Sequence, residues 1–162
     1  MVQRITPCLW FDKNGEAAAK YYVSVFLGGG KKNSKILDTT YYGPNMPMPK
    51  GTVLTVTFTL DGQEFMVLNG GPGFQFTQAV SFAVLCETQK EIDYFWGKLT
   101  SGGGQEVQCG WLKDKYGLSW QIVPIILEKM RRDEDPKKVD RVMQAMMKMI
   151  KLDIETLKAA YQ

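Results

Sequence analysis

The stretch AVSFAVLCETQKEIDYFWGKLTSGGG, residues 79–104, carries three signals that decide the fold. AVSFAVLC (79–86) is a short apolar run of the kind that forms a buried strand. TQKEIDYFWGKL (88–99) then reads as a helix that a capping box opens, with Thr88 at its start and Glu91 three places later. The glycines at 102–104 end this helix, because glycine tolerates the backbone angles of a helix stop.

The same order of signals occurs 74 residues earlier, where a glycine triplet begins at 28 instead of 102. ITPCLWF (5–11) reads as a buried strand, and NGEAAAKYYVSVF (14–26) follows with apolar residues at helical spacing. The same offset aligns Tyr21-Tyr22 with Phe95-Trp96. A shared order with matched aromatic pairs predicts that one structural unit is present twice.

Strand patterns follow each predicted helix. In the first half they lie at 34–42, 51–60 and 64–70, and Asp61-Gly62 between the last two is a hairpin signal. In the second half they are shorter, at about 106–113 and 118–123, around a turn at 115–117. The sequence therefore predicts an α+β fold of two βαβββ modules, 4–70 and 79–124, in a single domain that spans residues 1–162.

The remaining segment, 125–162, predicts a helical tail. Asp135 as the N-cap and Pro136 at the first helical position open one helix, and Asp153 opens a last short one. An apolar stripe at helical spacing follows Asp135, and it packs against either the domain or a second subunit. The stripe consists of Val139, Val142, Met143, Met146 and Ile150.

Composition excludes several classes of function. The net charge of +3 is small and scattered, which predicts neither nucleic-acid nor membrane binding. The chain has no histidine, and this excludes His-based acid–base catalysis and His-ligated metals. Three cysteines without a C-x-x-C motif indicate reduced thiols in a cytoplasmic protein. Cys109 lacks a histidine to activate it as a nucleophile.

Paired βαβββ modules are similar to those of the vicinal oxygen chelate superfamily, which includes glyoxalase I and the bleomycin-resistance proteins. The amino-acid sequence resembles most closely the PhnB-like family, often labelled 3-demethylubiquinone-9 3-methyltransferase. The resemblance covers most of residues 5–160. It rests on TPCLWFD (6–12), LDGQEFMVLNGGP (60–72), AVSFAVLCETQKEID (79–93), QCGWLKDKYGLSWQIVP (108–124) and RVMQAMMKMIKLDI (141–154).

This resemblance implies where a metal site of the superfamily would lie. Its His and Glu ligands align with Ser81 and Gln121 in the second module, and with positions near Pro7 and Met66 in the first. None of these side chains is an imidazole or a carboxylate. We therefore expect no bound metal and no cofactor. The methyltransferase label finds no support in NGGPGF (69–74), because this glycine-rich segment precedes no helix.

With metal chemistry and methyl transfer set aside, the fold implied by the resemblance still offers a cleft. The sequence therefore favours a metal-independent protein that binds an unidentified small molecule, and it predicts a homodimer. Trp111 supplies the aromatic wall of this cleft, and Trp120, one residue before Gln121, faces the opposite side of its strand. The expected ligand-binding residues are Thr55, Thr57, Asn69, Ser81, Trp111 and Gln121. The alternative is an enzyme that acts on a small metabolite, of the glyoxalase type or a methyltransferase. It lacks an evident general base, because Glu64 and Asp114 are expected to face solvent.

Overall fold

The computed structural model describes residues 5–162 and divides the chain into two compact units. The first unit ends at Gln75, and the second runs from Phe76 to Gln162. Each unit contains one α+β module with one four-stranded sheet. Among residues 5–162, no helix combines the length and the apolar character needed to span a membrane. A single domain over 1–162 stays a prediction.

The first unit has five elements. They are β1 (Cys8–Phe11), α1 (Gly15–Gly28), β2 (Lys35–Tyr41), β3 (Val53–Leu60) and β4 (Gln63–Asn69). The strands lie in the order β1-β4-β3-β2, and β1 is parallel to β4 while the other pairs are antiparallel. The β3–β4 hairpin turns at Asp61 and Gly62, both at positive φ, as the Asp-Gly signal predicts.

The core of the first unit lies between its sheet and α1. The alternation in β3 sends Val56 and Phe58 towards the helix, where both are buried. Tyr22 of α1 stacks on Phe58, with ring centroids 6.4 Å apart. The other face of this sheet, which we call the first distal face, is turned away from α1.

The second unit has eight elements. They are β5 (Ser81–Cys86), α2 (Gln89–Thr100), β6 (Gln105–Glu106), β7 (Trp111–Lys113), β8 (Ser119–Pro124), α3 (Ile125–Met130), α4 (Pro136–Met147) and α5 (Ile154–Tyr161). The strand order β5-β8-β7-β6, with β5 parallel to β8, repeats the topology of the first sheet. The predicted duplication of the βαβββ unit is therefore confirmed, and so is the capping box of Thr88 and Glu91.

One strand prediction was wrong. The single strand predicted at 106–113 is replaced by the short strands β6 and β7, because the chain turns between them at Cys109 and Gly110, which have φ values of 60° and 80°. The amides of these two residues donate hydrogen bonds to the carbonyls of Met149 and Ile150, each at 2.8 Å. A sheet edge is thus connected to the α4–α5 link by backbone contacts that a side-chain pattern does not record.

The helical tail packs on the face of the second sheet that is turned away from α2, which we call the second distal face. Val123 of β8 joins Leu127, Val142 and Leu152 in a buried cluster, and Met146 packs against it. The stripe that begins at Val139 therefore packs in part within its own unit. Met147 and Ile150 remain about half exposed, at 49% and 51%. The predicted N-caps Asp135 and Asp153 are both present.

Candidate functional site

The second distal face is set by the alternation of β5 and β8. In β8, Trp120 and Ile122 are buried, whereas Gln121 between them is half-buried and points to the other side. In β5, Val84 and Cys86 are buried, and Ser81, Ala83 and Leu85 lie on the distal side.

The tail partly covers a cavity of about 220 Å³ on this face, which stays open to solvent at Ala83 and Leu85. One wall belongs to the sheet and the other to the tail, and the 107–110 turn contributes one residue. The lining residues are Ala83, Leu85, Cys109, Trp111, Gln121, Val123, Leu127, Glu128, Arg131, Met146 and Leu152. A concave, mostly apolar site with a few convergent polar groups is the usual form of a small-molecule site.

Three residues predicted from the sequence meet at this cavity or beside it. The Nε2 of Gln121 donates a hydrogen bond to the Oγ of Ser81 at 2.9 Å. Trp111 is the cross-strand partner of Gln121, so the indole and the amide lie side by side on one face. A wider pocket of about 400 Å³ opens beside the cavity, and Cys109 and Trp111 line both.

Sequence reasoning missed the charged residues of the cavity, Glu128 and Arg131. Arg131 Nη2 lies 2.5 Å from Glu128 Oε1, and the Nη2 of Arg132 lies 3.5 Å from Glu128 Oε2. The Glu128 side chain is 28% exposed, against 45% for Arg131 and 80% for Arg132. Helical spacing of opposite charges ordinarily indicates a solvated helix face, so the charge pattern does not indicate that a cavity lies there.

A further polar group lies near the Ser81–Gln121 pair. Ser119 precedes Gln121 by two residues on the same face of β8 and is the register partner of Ser81. It is fully buried, and within residues 5–162 its Oγ has no hydrogen-bond partner. Buried hydroxyls are normally satisfied, so this group adds unused hydrogen-bonding capacity next to the pair.

Trp120 and Asp114 form a structural pair instead of a site. Trp120 is 2% exposed, and its Nε1 donates to Asp114 Oδ2 at 2.9 Å. Asp114 Oδ1 accepts from the amides of Tyr116 and Leu118 at 2.8 and 3.1 Å. The expectation that Asp114 faces solvent was therefore wrong, because its carboxylate closes the 114–118 turn from inside, with 3% of the residue exposed.

Asn69 is placed apart from the other predicted site residues. It is buried, and its Oδ1 accepts from the amide of Gly15 at 2.8 Å, at the first residue of α1. Its Nδ2 donates to the carbonyl of Val53 at 3.1 Å, and its own carbonyl accepts from the Tyr42 hydroxyl. These contacts hold the start of α1 against the end of β4, which is a structural role.

Thr55 and Thr57 lie on the first distal face, in the other unit, between the buried residues of β3. Thr55 shares a hydrogen bond with the hydroxyl of Thr40, the residue opposite it in β2. The sheet thus brings these two threonines onto one polar face of the first unit. The remaining candidates, Ser81, Trp111 and Gln121, belong to the second unit.

The two sheets correct one position aligned from the resemblance. Counted back three residues from the ends of their strands, Cys8 corresponds to Ala83 and Met66 to Gln121, as expected for Met66. The two residues of each unit lie opposite each other in the parallel pair. Ser81 is two residues before Ala83, and its counterpart two residues before Cys8 is Thr6, not Pro7.

The cause of this shift is the turn after β1, which is one residue longer than the turn after β5. Thr6 donates to Glu64 Oε1 at 3.3 Å, so a hydroxyl in this place again contacts a polar side chain of the parallel strand. Within residues 5–162, no three His, Cys, Asp or Glu side chains come together to hold a metal ion.

Each of the two sheets has the strand order 1-4-3-2, and in each the first and last strands in chain order are parallel neighbours. This arrangement defines a fold of the glyoxalase/bleomycin-resistance class. Residues 3–123 match the model of the family described as 3-demethylubiquinone-9 3-methyltransferase. The chain belongs to this family, the PhnB-like branch of the superfamily. No protein with a curated description matches the chain significantly.

One solved structure agrees with the family assignment, and two more distant ones share the fold. A PhnB protein from Bacillus cereus, described as a candidate 3-demethylubiquinone-9 3-methyltransferase, is 39% identical, with a TM-score of 0.66 over 75% of this chain and 99% of its own. A Pseudomonas aeruginosa protein, PA1353, is 15% identical, with a TM-score of 0.60 over 76% of this chain and 98% of its own. The fosfomycin resistance protein FosX from Listeria monocytogenes is 14% identical, with a TM-score of 0.51 over 80% of this chain and 98% of its own.

The tail lies outside the family match. The match ends at residue 123, short of the resemblance to residue 160 expected from the sequence, and α3 begins at Ile125. The Bacillus cereus protein is covered almost completely by 75% of this chain, so about a quarter of this chain has no counterpart in it. Glu128, Arg131 and Met146 lie after residue 123, in the part of the chain that the family model does not cover.

Proposed function

We propose that this protein binds a small organic molecule, without a metal ion, in the cavity between the second distal face and the tail. The observation that carries the proposal is the cavity itself, which combines an aromatic wall, aliphatic side chains and a polar corner at Gln121. An apolar cavity of about 150 Å³ holds a benzene molecule. In proportion, 220 Å³ suits a single-ring compound of about nine non-hydrogen atoms.

Metal independence follows from the chemistry of the lining side chains. Divalent cations require several oxygen donors with negative charge, or imidazole and thiolate ligands. Glu128 is the one carboxylate among the lining residues, and each of its oxygens already contacts an arginine. The chain contains no histidine to replace it. A ligand in this cavity is therefore recognised by shape, by hydrogen bonds and by Arg131.

Methyl transfer, which the family description names, has no comparable support at the strand-to-helix turn of either unit. A nucleotide-type cofactor is usually held at a glycine-rich turn between a strand and the next helix. The turns at this place are Asp12-Lys13-Asn14 after β1 and Glu87-Thr88 after β5, and neither contains glycine. We therefore favour binding over this activity.

The proposal is tested by titrating indole, a neutral compound of the right size, into the purified protein by calorimetry. Ala83→Phe places a ring into the cavity and is expected to abolish indole binding. Ala159→Phe, at an exposed position of α5, is expected to leave indole binding unchanged. Circular dichroism establishes that both variants are folded. A folded Ala83→Phe protein that binds indole as well as the parent would disprove this location. Native mass spectrometry of freshly purified protein then identifies the ligand it carries.

We also propose that the chain forms a homodimer. Phe74 and Val80 expose 69% and 63% of their surface, and Met147 and Ile150 of the tail about half. Large contiguous apolar patches on a protein surface often mark sites that a partner covers. Sedimentation velocity at micromolar concentration is expected to give the mass of two chains, and a monomer there refutes the proposal.

A further inference from the structure

We propose that the ligand of this cavity is a flat molecule with a carboxylate, and that Arg131 of the tail binds the carboxylate. This inference rests on the proposed function and adds the chemical class of the ligand. The family match ends at residue 123, so the determinant lies in the part of the chain that the family model does not cover.

Arg131 has unused binding capacity at the cavity. It follows α3 directly as the C-cap residue, and its side chain lines the cavity while 45% of it stays exposed. A guanidinium carries five N–H donors in a planar fork, and the Glu128 contact occupies one edge at most. The other edge can form the paired hydrogen bonds with which arginine binds a carboxylate.

Glu128 is unsuited to the opposite role of binding a cation. Its Oε1 contacts Arg131 at 2.5 Å and its Oε2 contacts Arg132 at 3.5 Å, so both oxygens already face positive charge. Solvent screens the charge of Arg132, which is 80% exposed, and Glu128, which contacts both arginines, offsets only part of the positive charge of Arg131. A ligand carboxylate balances that charge, whereas an ammonium group adds to it.

The rest of the cavity supplies the flat, apolar part of the site. Trp111 presents an indole ring, and Leu85, Val123 and Met146 are aliphatic or thioether side chains. An aromatic ring with one carboxylate therefore meets a complementary group at each part of this lining. Gln121, already bonded to Ser81, can add one hydrogen bond to a ring substituent.

The test compares benzoate, benzamide and benzylamine by calorimetry in one buffer of low ionic strength. The three probes have similar size and differ in charge. We expect benzoate to bind at least roughly tenfold more tightly than benzamide, the scale of one charge-assisted hydrogen bond, and benzylamine to bind most weakly. The affinity of benzoate is expected to fall as salt is added.

Two variants assign the effect to one side chain. Arg131→Gln is expected to lower benzoate affinity about tenfold, to the level of benzamide, and to leave benzamide binding unchanged. Arg132→Gln is the matched control, because it removes the same charge from the next residue in the chain. The side chain of Arg132 is 80% exposed and does not line the cavity. The benzoate affinity of this variant is expected to stay within about threefold of the parent.

Equal affinities for benzoate and benzamide overturn the inference, as does the same loss in both variants. Tighter binding of benzylamine overturns it as well, and assigns the charge preference to Glu128. Indole binding that Ala83→Phe blocks, together with no binding of benzoate, overturns this inference while the proposed function stands. Failure of indole to bind removes the proposed function itself.

Discussion

The amide of Gln121 donates a hydrogen bond to the hydroxyl of Ser81 at 2.9 Å, across the parallel pair β5–β8. These are the positions at which the resemblance to the superfamily predicts metal ligands. Here the two side chains bond to each other instead, and they form a neutral polar corner beside the cavity. The pair is half-buried, so its loss affects binding more than folding.

The first prediction compares Gln121→Ala with Trp120→Ala. Loss of Gln121 removes one partly exposed hydrogen bond, so we expect the free energy of unfolding to fall by about 1 kcal/mol while indole binds more weakly. Loss of the buried Trp120 is expected to cost about 3–5 kcal/mol of stability. Urea denaturation and calorimetry measure the two effects. A Gln121→Ala protein that unfolds beside a stable Trp120→Ala would reverse the assignment of the two faces of β8.

The second prediction concerns Asp114, which accepts hydrogen bonds from two backbone amides and from the Trp120 indole. Asp114→Ala leaves these donors buried without partners, and each such donor costs about 1–3 kcal/mol. We expect the free energy of unfolding to fall by about 3 kcal/mol or more. Lys115→Ala, on the exposed side of the same turn, is the control and is expected to change stability by less than about 0.5 kcal/mol. Equal stability of the two variants in urea would contradict the role of the Asp114 carboxylate.

The third prediction separates backbone strain from steric conflict. Gly110 and Gly117 have φ values of 80° and 86°, so alanine is strained at both. A Cβ at Gly110 would lie 2.9 Å from both the carbonyl oxygen of Ile122 and Leu152 Cγ, whereas at Gly117 it meets nothing within 4 Å. Gly110→Ala is therefore expected to destabilise the protein by at least about 1 kcal/mol more than Gly117→Ala.

The readout for this pair is hydrogen exchange of α4 and α5 together with urea denaturation. Gly110→Ala is expected to raise exchange in these helices, because the 107–110 turn holds the α4–α5 link by two hydrogen bonds. Equal exchange in the two variants would show that this turn does not hold the tail.

The fourth prediction is a pH dependence at the N-cap of α5. The Thr156 hydroxyl, and then the Thr156 amide, bond the Asp153 carboxylate and lower its pKa below 3.8. A lowered folded-state pKa means that the charged carboxylate stabilises the folded protein above the unfolded pKa, and that this contribution is lost as the pH falls through the folded pKa. Asp153→Ala is expected to cost about 1 kcal/mol at neutral pH.

The difference between the parent and Asp153→Ala is expected to shrink below pH 3.8 as the carboxylate gains its proton. Urea denaturation of both proteins over a series of pH values measures it. Asp153→Asn retains a capping side chain without the charge, so its stability relative to the parent separates capping geometry from charge. A difference that persists unchanged at acid pH is the contrary result.

Much of the fold could be predicted because its signals are local. The capping box of Thr88 and Glu91, the Asp61-Gly62 turn and the alternation of Val56 and Phe58 each depend on a few neighbouring residues. The turn at Cys109 and Gly110 was missed, because its stabilising partners, Met149 and Ile150, are about 40 residues away. The position near Pro7 could be placed only to within a residue for a related reason, since the pairing of β1 with β4 is needed to define the register.

The candidate site divides in the same way. Ser81 and Gln121 could be chosen because the resemblance aligns them with the metal-ligand positions of the superfamily, and alternation around Trp120 then left Trp111 as the aromatic wall. The structure places all three on the second distal face. The same alternation turns the side chain of Asn69 to the helix side of β4. There its amide group forms hydrogen bonds with the backbone of Gly15 and of Val53. Glu128 and Arg131 could not be predicted, because their position depends on how the tail folds back over the sheet.

The parallel strand pairs also constrain the order of folding. The β3–β4 hairpin joins neighbours in the sequence, whereas Cys8 pairs with Met66, 58 positions later, and Ala83 with Gln121, 38 positions later. Closing a long loop costs more chain entropy than forming a hairpin, so non-local pairs tend to form late. In each unit we therefore expect the first strand of the chain to pair late, and until it does the edge of β4 or β8 is unpaired and open to a neighbouring polypeptide.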